Sequence, residues 1–445
     1  MKKKYVRWTL WTIASPFILF IILCILIYLP PIQNFLVDKA AVYASEATGM
    51  NISVGRISLS FPLNLVVTDV DAASPHNDTL LSVRRLQVNV QLLPLLKKQV
   101  EVDGISLQGA TVNSNDLIHG MKLNGTLGEL FISSHGVALD PETAIINKVL
   151  LKDTDLSLCL NDTAAADTAA SDTTYWKIIL QDIDLQNVSF ALDMPLDSLS
   201  LAASLDNAIL RDGLIDLHKS AYSLQTFRIE NGRVRYDSGK PLAADSLSSG
   251  LDPSHIALTD IGVKLDSLYY EGRNMKAIIS QFVLKERSGV EIVSATGRMV
   301  SNDKVLRVPS LKLETRDSYL ELNAAMDWNA LDFKDEGLVS ARLMADIGKP
   351  DVVRFMGSMD EKFIRQYPSE PLRIRTGIDG DLNKLKLTTL TAELPGALGL
   401  FARGELTHLT DSLLRGGDIT LEAETKDLKF VSTLAEGIEI PYGTR

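Results

Sequence analysis

Few side chains in this chain are spaced to do chemistry. The six histidines (His76, His119, His135, His218, His255 and His408) are scattered, and no two are separated as a metal-binding pair requires. Asp182 with Asp184, and Asp379 with Asp381, stand at alternate positions. On a strand each pair would share one face, as calcium binding or acid–base catalysis needs, but the solvated face of a half-buried strand has the same spacing and is the stronger reading. Gly239-Lys240 and Gly348-Lys349 are each followed by proline, so neither completes a phosphate loop. The nucleophile-elbow, zinc-helix and dinucleotide-binding signatures are missing, as is any Cys-x-x-Cys pair. Cys24 lies in an apolar run and Cys159 stands by itself, which leaves neither a disulfide framework nor a cysteine zinc site. The expectation is a protein with no enzymatic activity and no metal or cofactor.

The elements that would have to position such residues point elsewhere. The chain has 445 residues, 46% of them hydrophobic, 23% charged and only 6% aromatic, with a formal net charge of −11. The charged share is that of folded proteins. The acidic balance gives no reason to expect nucleic-acid binding. With few aromatics, an apolar interior must come mainly from Leu, Ile, Val and Ala. Length alone allows two to four domains, or one long repetitive one.

Lys2, Lys3, Lys4 and Arg7 precede an uncharged stretch from Trp8 to Pro30, and the next charge is Asp38. About 20 apolar residues span a bilayer core, so the stretch predicts one transmembrane anchor containing Trp8, Trp11, Phe17, Phe20 and Tyr28. Tyr5, Trp8, Trp11 and Tyr28 fall near its two ends, at headgroup level. The basic cluster stays cytoplasmic and sends the rest across the membrane. A cleaved signal would have a shorter apolar region and a small-residue cleavage site, but it would export the body equally. Residues 32–48 carry apolar positions at helical spacing, with Gly49 as a stop. They predict a short helix that either plugs one end of the body beyond it or continues the anchor.

From residue 50 onward the apolar period is two. Leu311 and Leu313 alternate with Lys312 and Glu314, and Leu320 and Leu322 with Glu321 and Asn323. Ile374 lies between Arg373 and Arg375, and Leu385 and Leu387 alternate with Lys384 and Lys386. Strict alternation predicts one-faced antiparallel strands rather than a doubly wound parallel sheet. A motif recurs at Ile105 (ISLQGATV), Val149 (VLLKDTDL), Ile183 (IDLQNVSF) and Phe227 (FRIENGRV), with a fainter copy at Ile261 (IGVKLDSL). It reads as two alternating apolar residues, a turn-prone Gly, Asp or Asn, then more apolar residues. This suggests repeated hairpins with variable loops. Residues 161–174 and 237–255 read as mobile loops, and Pro350–Tyr367 as one inserted helix with Val352, Met356, Met359 and Phe363 on one side. At ~13 residues per strand plus turn the body would hold roughly 30 strands. It could be one elongated, curled antiparallel sheet over 50–445, or several closed sandwiches. In a curled sheet, Leu311, Leu313, Leu320, Leu322, Ile374, Leu385 and Leu387 would line a groove suited to acyl chains.

Residues 1–112 resemble the AsmA-like superfamily, closest to its translocation and assembly module (TamB) branch in a Bacteroides-like version. The resemblance rests on the basic start and anchor of residues 2–30, Thr48-Gly49, Val54-Gly55, the run from Leu92 to Lys98, and the strand from Val100 to Leu107. It implies an inner-membrane protein of a Gram-negative cell, single-pass, with its N-terminus cytoplasmic and its β-rich body in the periplasm. It further implies a groove that carries membrane phospholipids towards the outer membrane, or a role in assembling outer-membrane proteins. Family members of that branch are much longer and meet an outer-membrane barrel protein through a C-terminal domain, for which this chain has no recognisable counterpart. The alternative expectation is an envelope scaffold that pairs client strands at a sheet edge without carrying lipid.

Overall fold

The computed structural model describes residues 48–60, 64–74, 78–90, 102–114, 120–138, 142–161, 175–239, 250–334, 337–356 and 361–427, with isolated positions at 39, 41–43, 45, 46 and 430. The expected anchor, with Trp8, Trp11, Phe17, Phe20 and Tyr28, lies outside the described residues. Among the described residues, no helix is long and apolar enough to cross a membrane. The described positions between 39 and 48 are helical. Gly49 ends that helix at φ 71°, its N–H donating to the Ser45 carbonyl at 2.9 Å.

The described part is mainly β, and its contacts divide the chain into two units. The first unit holds β1 (Asn51–Ser60), β2 (Asn64–Ala73), β3 (Thr79–Val90), β4 (Val102–Asn113), β5 (Met121–Ala138), β6 (Thr143–Leu160) and β7 (Lys177–Met194). From β1 to β6 every neighbour in sequence is an antiparallel neighbour in the sheet. Between β6 and β7 the direction changes. Asn147 Nδ2 donates to Gln181 Oε1 at 2.9 Å, Asn187 Nδ2 to Asp153 Oδ1 at 2.9 Å, and Ser189 Oγ to Asp155 Oδ1 at 2.7 Å. Each pair is 34 residues apart. A constant difference, rather than a constant sum, means that β6 and β7 run parallel. Parallel neighbours need a connection that returns along the strand. Of the residues between Leu160 and Lys177, 162–174 lie outside the described residues.

The second unit holds β8 (Leu199–Asp216), β9 (Ala221–Leu224), β10 (Thr226–Ser238), β11 (His255–Glu271), β12 (Asn274–Glu286), β13 (Glu291–Ser301), β14 (Val305–Thr315), β15 (Tyr319–Asp327), β16 (Leu338–Ile347), β17 (Leu372–Asp381), β18 (Lys384–Leu394), β19 (Leu398–Thr407) and β20 (Gly416–Thr425). β8 pairs with β10, the short β9 bridges the ends of β8 and β11, and β10 to β20 form an antiparallel meander. The loop expected at 237–255 is shorter at both ends, because Asp237 and Ser238 belong to β10 and His255 begins β11. Residues 240–249 of it lie outside the described residues.

The recurring motif marks bulges inside strands, not hairpin turns. Its fifth residue adopts the left-handed conformation in mid-strand: Gly109 in β4 (φ 62°), Asp153 in β6 (φ 49°), Asn187 in β7 (φ 51°) and Asn231 in β10 (φ 53°). Asp69 in β2 (φ 54°), Asp212 in β8 (φ 51°) and Asp260 in β11 (φ 52°) do the same. The last of these places the fainter copy at Ile256 rather than Ile261. At each bulge the apolar positions shift by one. β4 pairs Ile105 and Leu107 with Val88 and Leu86, then Ala110 and Val112 with Val83 and Leu81. Gly109 and the residues opposite it, Arg84 in β3 and Gly128 in β5, are left out of the pairing together, and the register stays the same on either side. Two short alternating runs thus join into one strand, which is why the described residues hold twenty strands, several of 18 residues, where the sequence suggested about thirty shorter ones.

Two bulges also need glycine across the ladder. Asp69 faces Gly55, where a Cβ would sit 2.9 Å from the Asp69 Cβ, and Asp153 faces Gly128, where it would sit 2.8 Å from the Asp153 Cβ.

Three short helices sit at strand ends of the second unit: α1 (Trp328–Leu331), α2 (Lys349–Met356) and α3 (Glu361–Gln366). The single helix expected over 350–367 is thus described as two. Residues 357–360 between them, Met359 included, lie outside the described residues. Beside α1, Ala330, Val339 and Leu382 form a buried cluster. The guanidinium of Arg273 covers the Trp328 ring at 5.0 Å and pairs with Asp332 at 2.9 Å. At the opposite strand ends Tyr367, Leu394, Ala397 and Phe430 cluster, with Val352 and Phe363 packed against them. α2 is fastened by Asp351, 1% exposed. Its carboxylate accepts from the Thr315 hydroxyl, from Ser318 Oγ at 2.5 Å and from Arg354 Nη1 at 3.0 Å. In the β12–β13 hairpin, Glu286 is also buried and accepts from the backbone N–H groups of Ala257 and Ser288.

This arrangement has three measurable consequences. Asp69→Val should lower stability by about 2 kcal/mol in urea denaturation, whereas Asp69→Gly should stay within about 1 kcal/mol, since glycine alone takes left-handed φ freely. Equal losses from the two would contradict the bulge account. Asp351→Ala strands two hydroxyls and a guanidinium and should cost about 3 kcal/mol, with the far-ultraviolet β signal retained. For Glu286, burial pushes the carboxyl pKa up, but hydrogen bonds from Ser288, Ala257 and Arg287 outweigh it and hold it below its ordinary value. A lowered folded pKa stabilises above the unfolded carboxylate range and is lost as pH falls through it. Stability should therefore drop below about pH 4.5 and drop less steeply in Glu286→Gln.

Candidate apolar ligand face

Residues directly opposite one another on neighbouring strands share a face, so the register traces each row across the sheet. One row in the second unit runs Ala208, Ile229, Val263, Phe282, Ala295, Leu313, Leu320, Ala345, Ile374, Ala392, Leu400 and Ala423, from β8 through β10 to β20. Every member is apolar. The adjacent row runs Leu210, Phe227, Leu265, Ile279, Gly297, Leu311, Leu322, Leu343, Thr376, Leu390, Ala402 and Leu421, with a single polar residue. At ~4.8 Å per strand, twelve strands extend each row by roughly 50 Å.

Of the seven residues expected to line a groove, Leu313, Leu320 and Ile374 belong to the first row, and Leu311 and Leu322 to the second. Leu387 lies in a third, opposite Ile378 and Gly404. Leu385 lies in a fourth, opposite Gly380 and Leu406, and packs against the α1 cluster. All seven share the apolar face, and none is buried.

The first unit repeats the pattern. Ile57, Val67, Leu86, Leu107, Leu130 and Leu151 form one row from β1 to β6, and Leu59, Leu65, Val88, Ile105, Ile132 and Val149 another. The 34-residue offset places Leu185 of β7 beside Leu151. These rows escape a search for strict alternation because the bulges shift the phase midway. The Gly, Asp or Asn at the fifth motif position is the signal that recovers them.

Burial separates an open face from a closed core. In the two long rows of the second unit the only buried members are alanines, such as Ala208, Ala295, Ala345 and Ala402. Every Leu, Ile, Val and Phe of those rows remains partly exposed. A sandwich interior would bury the large residues as fully as the small ones. Alanines are hidden here by their taller neighbours, while the tips of those neighbours reach into open space.

The opposite face is polar. Lys312, Glu321, Met344, Arg375 and Thr391 form one of its rows, and Arg307, Ala325, Ser340, Asp379 and Lys386 another. Asp379 stands between Ser340 and Lys386, while Asp381 caps the β17–β18 turn by accepting from the backbone N–H groups of Asn383 and Lys384 at 2.9 and 2.7 Å. Asp182 and Asp184 lie on β7 in the first unit. Among the described residues, no three metal-ligating side chains converge. β20 is exposed along its whole length, with Ile419 at 46% and Leu421 at 61%. Comparison with protein-family models and with curated proteins finds no match for the chain.

Proposed function

We propose that the chain is a non-enzymatic β-groove protein that holds the acyl chains of membrane phospholipids along its apolar strand faces. It would be anchored in the inner membrane by residues 8–30, with its body in the periplasm, and would serve lipid transport or protein assembly at the outer membrane. The observation that carries the reading is the unbroken apolar row from Ala208 to Ala423 with its large side chains partly exposed. The two long rows contain sixteen Leu, Ile, Val or Phe residues. Leaving each partly exposed forgoes roughly 0.5 kcal/mol of burial. The sum is on the order of ten kcal/mol, comparable to the whole stability of a domain. A contiguous face of that size is a binding surface. An acyl chain laid along it recovers about 0.8 kcal/mol per CH₂, enough to offset leaving a bilayer if the polar head stays in water.

A second reading, a scaffold that receives client strands at its edge, is favoured by β20. It pairs with β19 on one side, alternates Ile419, Leu421 and Ala423 with polar residues, and is exposed on both faces.

Photo-crosslinkable residues at positions 313 and 387, compared with position 312 on the polar face and 420 on the edge strand, separate the two. Phospholipid adducts at 313 and 387 but not at 312 are expected of the conduit. Protein adducts alone, concentrated at 420, would replace it with the scaffold.

A further inference from the structure

The polar face of the second unit has a concave site that the acyl-binding reading does not use. Pro309 lies inside β14, and having no N–H it cannot complete the ladder. The register with β15 slips there, so that between the Val308–Ala324 and Leu311–Leu322 pairs two residues of β14 face Asn323 alone. The slip opens a pocket floored by Pro309 and Ala325 and rimmed by Arg307, Asn323, Ser340 and Arg342.

Two arginine side chains stand at this rim. Arg233, Arg235, Arg273, Arg316, Arg354 and Arg375 each pair with a carboxylate. Among the described residues, the side chains of Arg307 and Arg342 make no ion pair and no hydrogen bond, as is also true of Arg228, Arg298 and Arg373, but only these two share a pocket. They lie two strands apart and two positions out of register, since Arg307 faces Ala325, which faces Ser340, while Arg342 faces Asn323. That places them on opposite corners of the pocket, about 10 Å apart across the strands. The nearest carboxylate in register, Asp379, stands one strand further on, opposite Ser340, with Lys386 beyond it.

We propose that this pocket binds an oxyanion, a phosphate monoester or diester group, between the two guanidinium forks. Asn323 and Ser340 donate to its remaining oxygens. A guanidinium presents paired N–H donors in one plane and matches phosphate oxygens two at a time. Two such forks at opposite corners, with neutral donors between them and no carboxylate on the rim, favour a tetrahedral anion over a cation or a neutral ligand. The group could belong to a soluble phosphate compound or to a lipid headgroup, and the chemistry of recognition is the same for both.

The test is titration of the full chain with inorganic phosphate, with chloride at equal ionic strength as the control. Saturable heat with phosphate and none with chloride is expected. The Arg307→Gln/Arg342→Gln double variant should weaken phosphate binding at least tenfold, because each lost charged hydrogen bond is worth about one factor of ten. Arg233→Gln, at a paired arginine of the same unit, should leave binding unchanged. Both target arginines are exposed, so an unaltered thermal melt verifies that the double variant is folded. A parallel arm uses phosphatidylcholine vesicles with and without phosphatidylglycerol. Binding of free phosphate identifies a soluble ligand. Arginine-dependent binding to the phosphatidylglycerol vesicles without free-phosphate binding identifies a headgroup. Phosphate heat or vesicle binding that survives in the double variant, equal losses in Arg233→Gln, or no binding in either arm would overturn the proposal. None of these outcomes depends on acyl chains occupying the opposite face.

Discussion

The structure depends on keeping one face of long strands in phase. A strand turns alternate side chains to opposite sides, and an odd residue would send the rest of its apolar set to the wrong face. The left-handed residue in mid-strand interrupts the ladder at the point where the alternation changes phase. Gly109 does so in β4, Asp153 in β6 and Asn231 in β10. Because a bulge also bends its strand and increases local twist, the same residues that preserve phase give the sheet curvature. Asp69 and Asp153 add a steric condition, since the strand opposite must supply glycine at 55 and 128.

Curvature changes what the apolar residues accomplish. In a closed sandwich they would vanish from solvent and supply the main stabilising term. Here the tips of Leu313, Leu320 and Ile374 stay partly exposed, and full burial falls to alanines beneath them and to clusters at the strand ends. The second unit therefore relies on its ends. Tyr367, Leu394 and Phe430 at one end, and Ala330, Val339 and Leu382 at the other, supply the packed interiors that the open face lacks. Asp351 ties α2 to the β14–β15 hairpin through charge-assisted hydrogen bonds, which fix direction as well as contact.

The two faces have divided chemistry. One offers continuous apolar area and no charge, which suits a flexible apolar chain with no fixed partner geometry. The other carries lysines, arginines and carboxylates, some of them in ion pairs, and brings Arg307 and Arg342 to one pocket without a carboxylate in its lining.

Strand content and the apolar face could be read from the sequence because the pleat is local. Leu311, Leu313, Leu320 and Leu322 announce their common side through spacing alone, and the tertiary structure places them together. Gly49 as a helix stop was equally legible, since a left-handed cap depends on one residue. The role of Gly109, Asp153 and Asn187 was not. The same residue types favour left-handed φ in a hairpin turn and in a bulge, and only hydrogen bonds to distant strands distinguish the two. The parallel pairing of β6 with β7 is likewise a matter of partner choice, invisible to periodicity. Whether the apolar rows meet a second layer or open space is decided by what lies across from them. That is a property of the whole fold, so the sequence determined which residues face the same way and only the tertiary structure decided that their tips remain uncovered.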